Sequence, residues 1–332
     1  MVAAFDRSSD GTDAPLLSAR RLKGWLLRNE SLRGYSLLAP TLLVIFVLMV
    51  APLLAMVVLS FATQNYVTID YGFSLRNYGI IFEPSSKPAY FLGIPFYLQK
   101  PIYFLLLFKS ILISLMATIA VVLLAYPMAY FLAFRVTKHK ITWLILITVP
   151  FFTSYLLRVF AWKVILGYNG VINSSLMSLG LLDKPLGFLL YSQTSVVITL
   201  AHAWAAVAIL PIYVSLEKID RSLLEAGSDL GDTRLQRFFR ITLPLMRPAI
   251  LVALLFRTLD AFRIFDTVYI QTRGANKTET VSILGYNELI ARLNLGIGSA
   301  VSVLVFICVI LIAYFFVKVL GTSTAQQRGE AT

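Results

Sequence analysis

The chain has 332 residues, of which 58% are hydrophobic and 14% are charged, whereas a soluble domain carries about a quarter charged residues. This composition excludes an ordinary soluble globular protein. It predicts an all-α membrane protein, because several apolar runs reach the roughly 20 residues that cross a bilayer. The single cysteine and the two histidines predict neither a disulfide framework nor a metal site. The basic residues behind the net charge of +12 are scattered over short segments, so no nucleic-acid partner is predicted.

Six apolar segments predict six transmembrane helices. In chain order they cover residues 37–60, 106–134, 141–165, 188–214, 245–265 and 297–320. Residues 1–35 are expected to form a cytoplasmic tail with a short surface helix near 18–30, and residues 321–332 a second cytoplasmic tail. Residues 36–320 are expected to form one transmembrane domain.

The distribution of basic residues predicts the orientation of the chain. With the N-terminus inside the cell, the predicted inner segments contain 17 lysines and arginines and the predicted outer segments contain 7. Cytoplasmic loops carry the excess of lysine and arginine in membrane proteins. Both termini and the loop between the fourth and fifth spans are therefore predicted to be cytoplasmic.

That loop, residues 215–244, is a polar segment in an apolar chain. Its first part, 217–230, places leucine and isoleucine among charged residues at helical spacing, which predicts a short amphipathic helix. Asp220 is a candidate N-cap, and Gly227 and Gly231 indicate a break or turn after the helix.

A second short helix is expected from Thr233 to Ile241, ending before Pro244, since proline disfavours helical backbone in the residue before it. The two short helices would form a knob that can enter a cleft in a partner protein. Small residues at 226 and 227 would allow the partner to approach closely.

Several positions in this loop keep a fixed spacing. They read Glu225-Ala226-Gly227, then Gly231, then Ile241-x-Leu243-Pro244. This spacing resembles the EAA loop of type I ABC-importer permeases, E-A-A-x3-G-x9-I-x-L-P, with Gly227 at the third position, where alanine is usual. An ordinary surface helix–turn–helix is the alternative interpretation, but it does not require Ile-x-Leu-Pro at this distance.

The resemblance implies a permease fold in which this loop forms a coupling helix and docks into a separate ATPase. The residues that it assigns to coupling are Glu225, Ala226, Gly227, Asp229, Gly231, Leu243 and Pro244. The implied partners are ABC ATPase subunits, a second permease, a periplasmic or lipid-anchored solute-binding protein, a small-molecule solute and membrane lipid. The implied location is the bacterial plasma (inner) membrane, and no cofactor is implied.

Enzymatic chemistry is not predicted. The chain lacks a G-x-x-x-x-G-K-[ST] phosphate loop, whose backbone and lysine cradle nucleotide phosphates, and it lacks a catalytic Ser/His/Asp or Cys/His grouping. ATP would therefore be hydrolysed by a partner subunit. An ATP-independent carrier or channel and a non-transporting scaffold are the alternatives, and both leave the loop spacing unexplained.

Charged residues inside the predicted spans are candidates for the solute path, because burying charge in a membrane is costly. Arg257, Asp260 and Arg263 follow one another at intervals of three in the fifth span, so they share a helix face. They predict either a structural salt bridge near the outer interface or a polar lining of the path. His202 and Trp204 in the fourth span are further candidates, with simple packing as the alternative for His202.

Two parts of the chain indicate different solutes. Residues 34–245 resemble spermidine/putrescine-type permeases, for example in AYPMAYFLAF and ILPIYVSLEKIDRSLLEAGSDLG, whereas residues 248–320 resemble trehalose-type sugar permeases, for example in ALLFRTLDAFRIFDTVYIQTRG. The length of the first resemblance favours a polyamine, which is the predicted substrate. The arginines of the fifth span favour a sugar such as trehalose, which is the alternative. A natural mosaic and an engineered chimera would both produce this pattern.

Overall fold

A computed structural model of the chain describes residues 30–66, 68–91, 93–189 and 191–319. The predicted tail at 321–332 lies outside the described residues, and so does the predicted surface helix near 18–30 except for its last residue. The chain divides into two compact units, Met1–Val58 and Leu59–Thr332. The contacts described below all lie within the second unit.

Most of the described chain is helical. The α-helices are α1 Glu30–Ile45, α2 Ala51–Phe61, α3 Arg76–Ile81, α4 Ile102–Tyr130, α5 Lys140–Thr148, α6 Tyr155–Leu166, α7 Val171–Ser178, α8 Gln193–Glu217, α9 Arg221–Asp229, α10 Arg234–Arg237, α11 Leu243–Phe262, α12 Asp266–Gln271, α13 Val281–Tyr286 and α14 Leu295–Tyr314. Short π-helical turns cover Phe46–Val50, Phe131–Arg135, Phe238–Thr242, Asn287–Ala291 and Phe315–Val319, and a 3₁₀ turn covers Val149–Phe152.

Within the residues that the structure describes, five continuous helices are long and apolar enough to cross a membrane. They are Leu37–Phe61, Ile102–Arg135, Gln193–Glu217, Arg234–Phe262 and Leu295–Lys318, and we call them spans one, two, four, five and six. Each overlaps the segment predicted from hydropathy.

The predicted third span, residues 141–165, is not a single straight helix. Lys140–Phe152 and Tyr155–Ser178 satisfy the same criterion only as a pair, and they bend by 84° at the break between them. Pro150 lies in the 3₁₀ turn that ends the first half, where it lacks the N–H that would continue an α-helix. Thr153 then adopts an extended backbone. If this bent pair is counted as one span, the described part of the chain has up to six.

Spans two and four form the centre of the buried core. The facing residues are small: Ala117, Ala125 and Ala129 in α4, and Ala201, Ala205 and Ala208 in α8 are all buried. Small side chains let helices approach closely in a membrane, where packing rather than water exclusion drives association. Met246 brings α11 into the same buried cluster.

The segment between spans one and two corrects the all-α prediction. It contains two antiparallel hairpins, formed by β1 Thr63–Asn65 with β2 Thr68–Asp70, and by β3 Pro84–Phe91 with β4 Ile94–Leu98. β1 and β2 have only three residues each, and the sequence PSSKPAYF of β3 does not alternate between polar and apolar residues, which is the pattern that reveals a strand in sequence. The fold is therefore mostly helical.

The helix after Gly231 also differs from the prediction, because it does not end before Pro244. α10, the π turn and α11 form the continuous helix Arg234–Phe262. In the π turn the Leu243 N–H donates to the Phe238 carbonyl, five residues back. Proline has no N–H to place in the helical ladder, and the wider turn before it is a recognised way of fitting such an interruption into a helix.

Candidate functional site

Helix α9 is defined by a polar cap at one end and a glycine turn at the other. The Ser222 N–H donates to Asp220 Oδ1 at 2.9 Å, which caps the helix as predicted and lowers the pKa of the Asp220 carboxyl below its ordinary value of 3.8. At the far end Gly231 has φ +84°, a conformation that glycine adopts without strain. The Asp232 N–H closes the turn by donating to the Gly227 carbonyl at 3.0 Å.

Gly227 lies inside α9 and does not break it, contrary to the prediction. It is buried, and a Cβ built on it would lie 2.8 Å from Ile241 Cδ1 and 3.3 Å from Arg237 Cγ. The absence of a side chain therefore allows α9 to pack against the first turns of span five. The small residue at 227 thus permits a close approach between α9 and span five of the same chain, whereas the prediction was a close approach by a partner protein.

Polar and aromatic contacts hold the 215–244 loop on the ends of the spans. Arg237 Nη1 donates to the Leu224 carbonyl at 3.1 Å, and Arg221 Nη2 donates to the Ala133 carbonyl at 3.4 Å. The ring of Phe238 contacts Tyr126 of span two with centroids 5.1 Å apart. The loop is thus attached to spans two and five, so that a force on α9 would reach both.

The other predicted coupling residues are divided between exposed and partly buried positions. Glu225, Ala226, Asp229 and Pro244 are exposed, whereas Leu243 is partly buried. The same region exposes large apolar side chains that were not predicted as site residues: Leu230 is 87% exposed, Leu235 71% and Phe239 61%. An apolar patch surrounded by charged residues is typical of a protein-binding surface.

The three charged residues of span five form one ion-pair cluster. Arg257 Nη2 lies 2.9 Å from Asp260 Oδ2, and Arg263 Nη2 lies 3.3 Å from Asp260 Oδ1. The Arg257 guanidinium also lies over the ring of Trp204, 5.2 Å from its centroid. Both predicted pairings of Asp260 are therefore formed at the same time.

A cleft of about 330 Å³ opens beside this cluster. Its lining residues are Tyr155, Trp204, Asp260, Arg263, Ile264, Phe265 and Asp266. It combines aromatic rings with charged groups, a lining that can bind a small polar solute. Of the predicted path residues, Trp204, Asp260 and Arg263 line the cleft. Arg257 does not line it, but it contacts two residues that do, Trp204 and Asp260.

His202 does not line this cleft. Its ring stacks on Phe151 with centroids 5.7 Å apart and meets the edge of Trp162 at 5.3 Å. The Arg158 guanidinium lies over the ring of Phe151, 5.2 Å from its centroid. Its Nη1 also donates to the Ala203 carbonyl at 2.9 Å. His202 is thus packed among the two halves of the bent pair and span four.

Four cleft residues were not predicted: Tyr155, Ile264, Phe265 and Asp266. Tyr155 reaches the cleft because the bent pair turns at residues 153 and 154, and its hydroxyl hydrogen-bonds to Thr267 Oγ1 at 2.5 Å. No hydropathy pattern reveals such a bend. Asp266 follows Arg263 at the same interval of three that relates the charges of span five, and this was the signal available in the sequence.

Within the described ranges, no three His, Cys, Asp or Glu side chains come together in a way that could hold a metal ion.

Comparison with curated proteins identifies the family. The spermidine/putrescine transport system permease protein PotB of Haemophilus influenzae is 35% identical over 206 residues, which cover 62% of this chain and 71% of that protein. The chain belongs to the ABC-importer permeases. It is accordingly a multi-pass protein of the bacterial inner membrane and a transport subunit rather than an enzyme, as predicted. No protein-family model matches the chain.

Further relatives confirm the predicted double resemblance of this permease. PotB of Escherichia coli is 38% identical over 168 residues, 51% of this chain and 61% of that protein. The trehalose transport system permease protein SugA of Mycobacterium tuberculosis is 43% identical over 129 residues, 38% of this chain and 42% of that protein. A match of 129 residues cannot fit within 248–320, so the sugar-type similarity extends beyond the range predicted for it.

Solved structures show the same fold. A crystal structure of a bacterial ABC transporter involved in the import of the acidic polysaccharide alginate aligns with 92% of this permease at a TM-score of 0.62 and 18% identity. A second, of the alginate transporter in complex with an alginate pentasaccharide-bound periplasmic protein, covers 89% of the permease at a TM-score of 0.63 and 18% identity.

Proposed function

We propose that this permease forms part of the solute path of an ATP-driven, binding-protein-dependent importer, and that its 215–244 loop docks into an ATPase subunit. The observation that carries the proposal is the construction of the loop. α9 is capped, packed without a gap on span five through Gly227, and bonded to the end of span two. Glu225 and Asp229 of α9 are exposed, and so are the nearby apolar residues Leu230 and Leu235. A rigid element with an exposed apolar and charged surface can transmit motion from a partner to the spans.

The topology proposed for the importer has six spans and both termini in the cytoplasm. The bent pair counts as the third span, and the distribution of lysine and arginine supports the orientation. Under this topology the 215–244 loop faces the compartment that contains ATP.

Transport is proposed to follow alternating access. ATP binding would close two ATPase subunits, and their motion would pass through α9, Arg221 and Arg237 into spans two and five. The cleft beside Asp260 would then open toward a periplasmic or lipid-anchored binding protein. Since one chain supplies one coupling loop, a second permease, like or unlike, would complete a path on a two-fold axis.

Two substitutions in the loop test its role in coupling. We expect Glu225→Lys and Gly231→Asp to abolish solute-stimulated ATP hydrolysis while the chain still inserts into the membrane. Asp183→Lys is the matched control, because Asp183 is also exposed but lies in the connection between the bent pair and span four. Normal stimulated hydrolysis in both loop variants would overturn the proposed docking site.

A polyamine is the first candidate solute. The relatives that match the longest part of the chain are spermidine/putrescine permeases. In the cleft, Asp266 is exposed, and no lysine or arginine of the described residues lies within 4 Å of its carboxylate. A carboxylate beside aromatic rings suits an alkylammonium group, which binds to both.

A sugar is the second candidate, and the ion-pair cluster favours it. Asp260 is already paired with Arg257 and Arg263, so it offers a polycation little unbalanced negative charge. Arginine and aspartate side chains bind hydroxyl groups by hydrogen bonds, and the ring of Trp204 offers an apolar surface.

Uptake in vesicles separates the two candidates. The permease, with its ATPase, second permease and binding protein, is supplied with labelled spermidine or labelled trehalose. If a polyamine is the solute, Asp266→Asn should reduce spermidine uptake by about tenfold, the equivalent of one charge contact of about 1.4 kcal/mol. If a sugar is the solute, trehalose uptake should survive Asp266→Asn and fall in Asp260→Asn. ATP-dependent uptake of neither solute, with the ATPase bound, would reject both candidates and leave the importer assignment standing.

A further inference from the structure

The β3–β4 hairpin, residues 84–98, has a surface that is unusual for a segment in water. Its sequence is PSSKPAYFLGIPFYL, in which Lys87 is the one charged residue. Among its described side chains, Tyr90 is 67% exposed, and Ile94 and Tyr97 are each 57% exposed. A hairpin with one face in water normally alternates polar and apolar residues, and this one exposes aromatic and apolar groups instead.

Strand pairing collects the two tyrosines on one face. Tyr90 pairs with Pro95 across the hairpin, and directly paired residues lie on the same side of a sheet. Side chains alternate along a strand, so Tyr97 shares this side with Pro95. The opposite side of β4 carries Phe96, which is partly buried.

Contacts with span two show where along that helix the hairpin lies. The ring of Phe96 packs against Phe108 with centroids 5.6 Å apart. Before the hairpin, Phe82 packs against Phe104 at 5.0 Å. At its base, the Gln99 N–H donates to the Glu83 carbonyl at 2.7 Å. The hairpin therefore lies beside the first two turns of span two.

Those turns lie at the level of the lipid headgroups. Span two ends at Arg135, a residue that the positive-inside rule places at the inner interface. Phe108 precedes Arg135 by 27 residues, which is about 40 Å of helix at 1.5 Å per residue. A bilayer with its headgroup regions is about 40–45 Å thick. Phe108, and with it Phe96, therefore reaches the outer interface.

The exposed apolar surface of span two is continuous with the hairpin. Phe108, Leu115 and Ile119 are between 44% and 49% exposed, and their spacing of seven and four residues places them on one face of the helix. This is the surface expected to face lipid, and Phe96 packs at its outer end.

We propose that the β3–β4 hairpin lies in the outer membrane–water interface, with Tyr90 and Tyr97 among the lipid headgroups, so that its partner is the bilayer. Tyrosine is enriched at this level because its ring is apolar and its hydroxyl is polar. Lys87 adds a cation that anionic headgroups attract. The hairpin would fix the outer end of span two against the membrane while the other spans move. This role is independent of which solute the importer carries.

Site-directed labelling of the full-length permease tests the proposal. Cys308 is the single cysteine, so a Cys308→Ala background allows Tyr97→Cys to carry an environment-sensitive fluorophore. The permease is placed in vesicles of phosphatidylethanolamine and phosphatidylglycerol. We expect lipids with a nitroxide near the headgroup to quench Tyr97→Cys at least about twofold more strongly than Asp183→Cys, a control at an exposed charged residue. Aqueous iodide should show the reverse order.

Two results would overturn the proposal. The first is iodide quenching of Tyr97→Cys equal to that of Asp183→Cys, which would place the hairpin in water. The second is protection from iodide only after the solute-binding protein is added, which would make the hairpin a protein-docking surface. Tyr90→Cys gives an independent reading from the paired strand if Tyr97→Cys fails to insert. Uptake by the labelled variants shows separately whether the importer is intact.

Discussion

Gly227 and Ile241 lie so close that any side chain at position 227 would meet the end of the Ile241 side chain. A Cβ on Gly227 would come within 2.8 Å of Ile241 Cδ1, which is closer than packed carbon atoms approach. The contact joins α9 to the first turns of span five. It explains why a glycine and an isoleucine fourteen residues apart belong to one structural unit.

Gly227→Ala is expected to be tolerated, and Gly227→Leu is not. The group that an alanine meets is the end of a flexible side chain, which can turn away, and alanine is the usual residue at this position in the EAA loop. A leucine would have to displace α9, and overpacking of this kind costs about 1–3 kcal/mol. We expect Gly227→Leu to lower solute-stimulated ATP hydrolysis about tenfold, since a factor of ten corresponds to about 1.4 kcal/mol.

A second substitution at Ile241 provides the control for this prediction. Gly227→Leu with Ile241→Ala restores space between α9 and span five, so the double variant should recover most of the lost hydrolysis. If Gly227→Leu alone couples normally, the close contact has no role in transmitting motion from the loop.

Gly231 requires a left-handed backbone, with φ +84°. An alanine there would cost about 1–2 kcal/mol, whereas asparagine occupies this region more readily. We expect Gly231→Ala to lower the thermal unfolding temperature or the hydrolysis rate more than Gly231→Asn does. Equal effects of the two variants would mean that the bulk of any side chain, rather than backbone strain, is what the turn excludes.

Sequence patterns predicted the parts of the fold that depend on hydropathy alone. Hydropathy located five spans, because a lipid-facing helix needs a continuous apolar run whatever its partners are. It could not locate the bend after Pro150, because a proline inside a span can either be accommodated or break the helix, and neighbouring helices decide which. Pro244 shows the other outcome, since a π turn carries the helix through it.

The 215–244 loop was predicted more completely than the cleft, because the residues of the loop are close along the chain and those of the cleft are not. The spacing of the EAA loop named residues that are contiguous along the chain, so their positions followed from sequence alone. The cleft joins Tyr155, Trp204 and Phe265 from three segments that meet only in the fold. Charge intervals pointed to Asp260 and its arginines, and Trp204 was a candidate in the fourth span, but nothing local indicated Tyr155 or Phe265.

Asp220 makes the start of α9 dependent on pH. Its hydrogen bond from the Ser222 N–H lowers the pKa of the carboxyl below 3.8, so the ionised form is favoured in the folded protein. The stabilisation is therefore fully present above the unfolded pKa and is lost as the pH falls through the lowered folded pKa. We expect amide exchange at Ser222–Leu224, corrected for the intrinsic rate, to increase below about pH 3.8.

Asp220→Asn is the matched control for this pH dependence. Asparagine caps a helix about as well as aspartate does but carries no proton to titrate. Its exchange protection should stay constant across the same range. The same acid-induced loss in Asp220→Asn would show that another group, and not the cap, governs the start of the helix.

Asp260 and Arg263 should differ in their effects on stability, although they form one ion pair. Removing the Asp260 charge leaves Arg257 without its carboxylate, and the Arg257 side chain is only 12% exposed, so Asp260→Asn should destabilise the protein by about 1–3 kcal/mol. The Arg263 side chain is 64% exposed, and an exposed pair contributes about 0–1 kcal/mol. Thermal unfolding of purified Asp260→Asn and Arg263→Gln in detergent measures the difference.

A double variant separates the structural role of this cluster from a role in transport. Arg257→Met with Asp260→Leu removes the buried arginine together with its carboxylate partner, and replacing a buried ion pair by apolar residues of similar volume often leaves stability unchanged. If the cluster is only structural, this variant should unfold near the wild-type temperature and transport normally. If it regains stability and still fails to transport, the charges of span five act on the solute itself. A double variant as unstable as Asp260→Asn would contradict the ion-pair account, because no buried unpaired charge would remain to explain the loss.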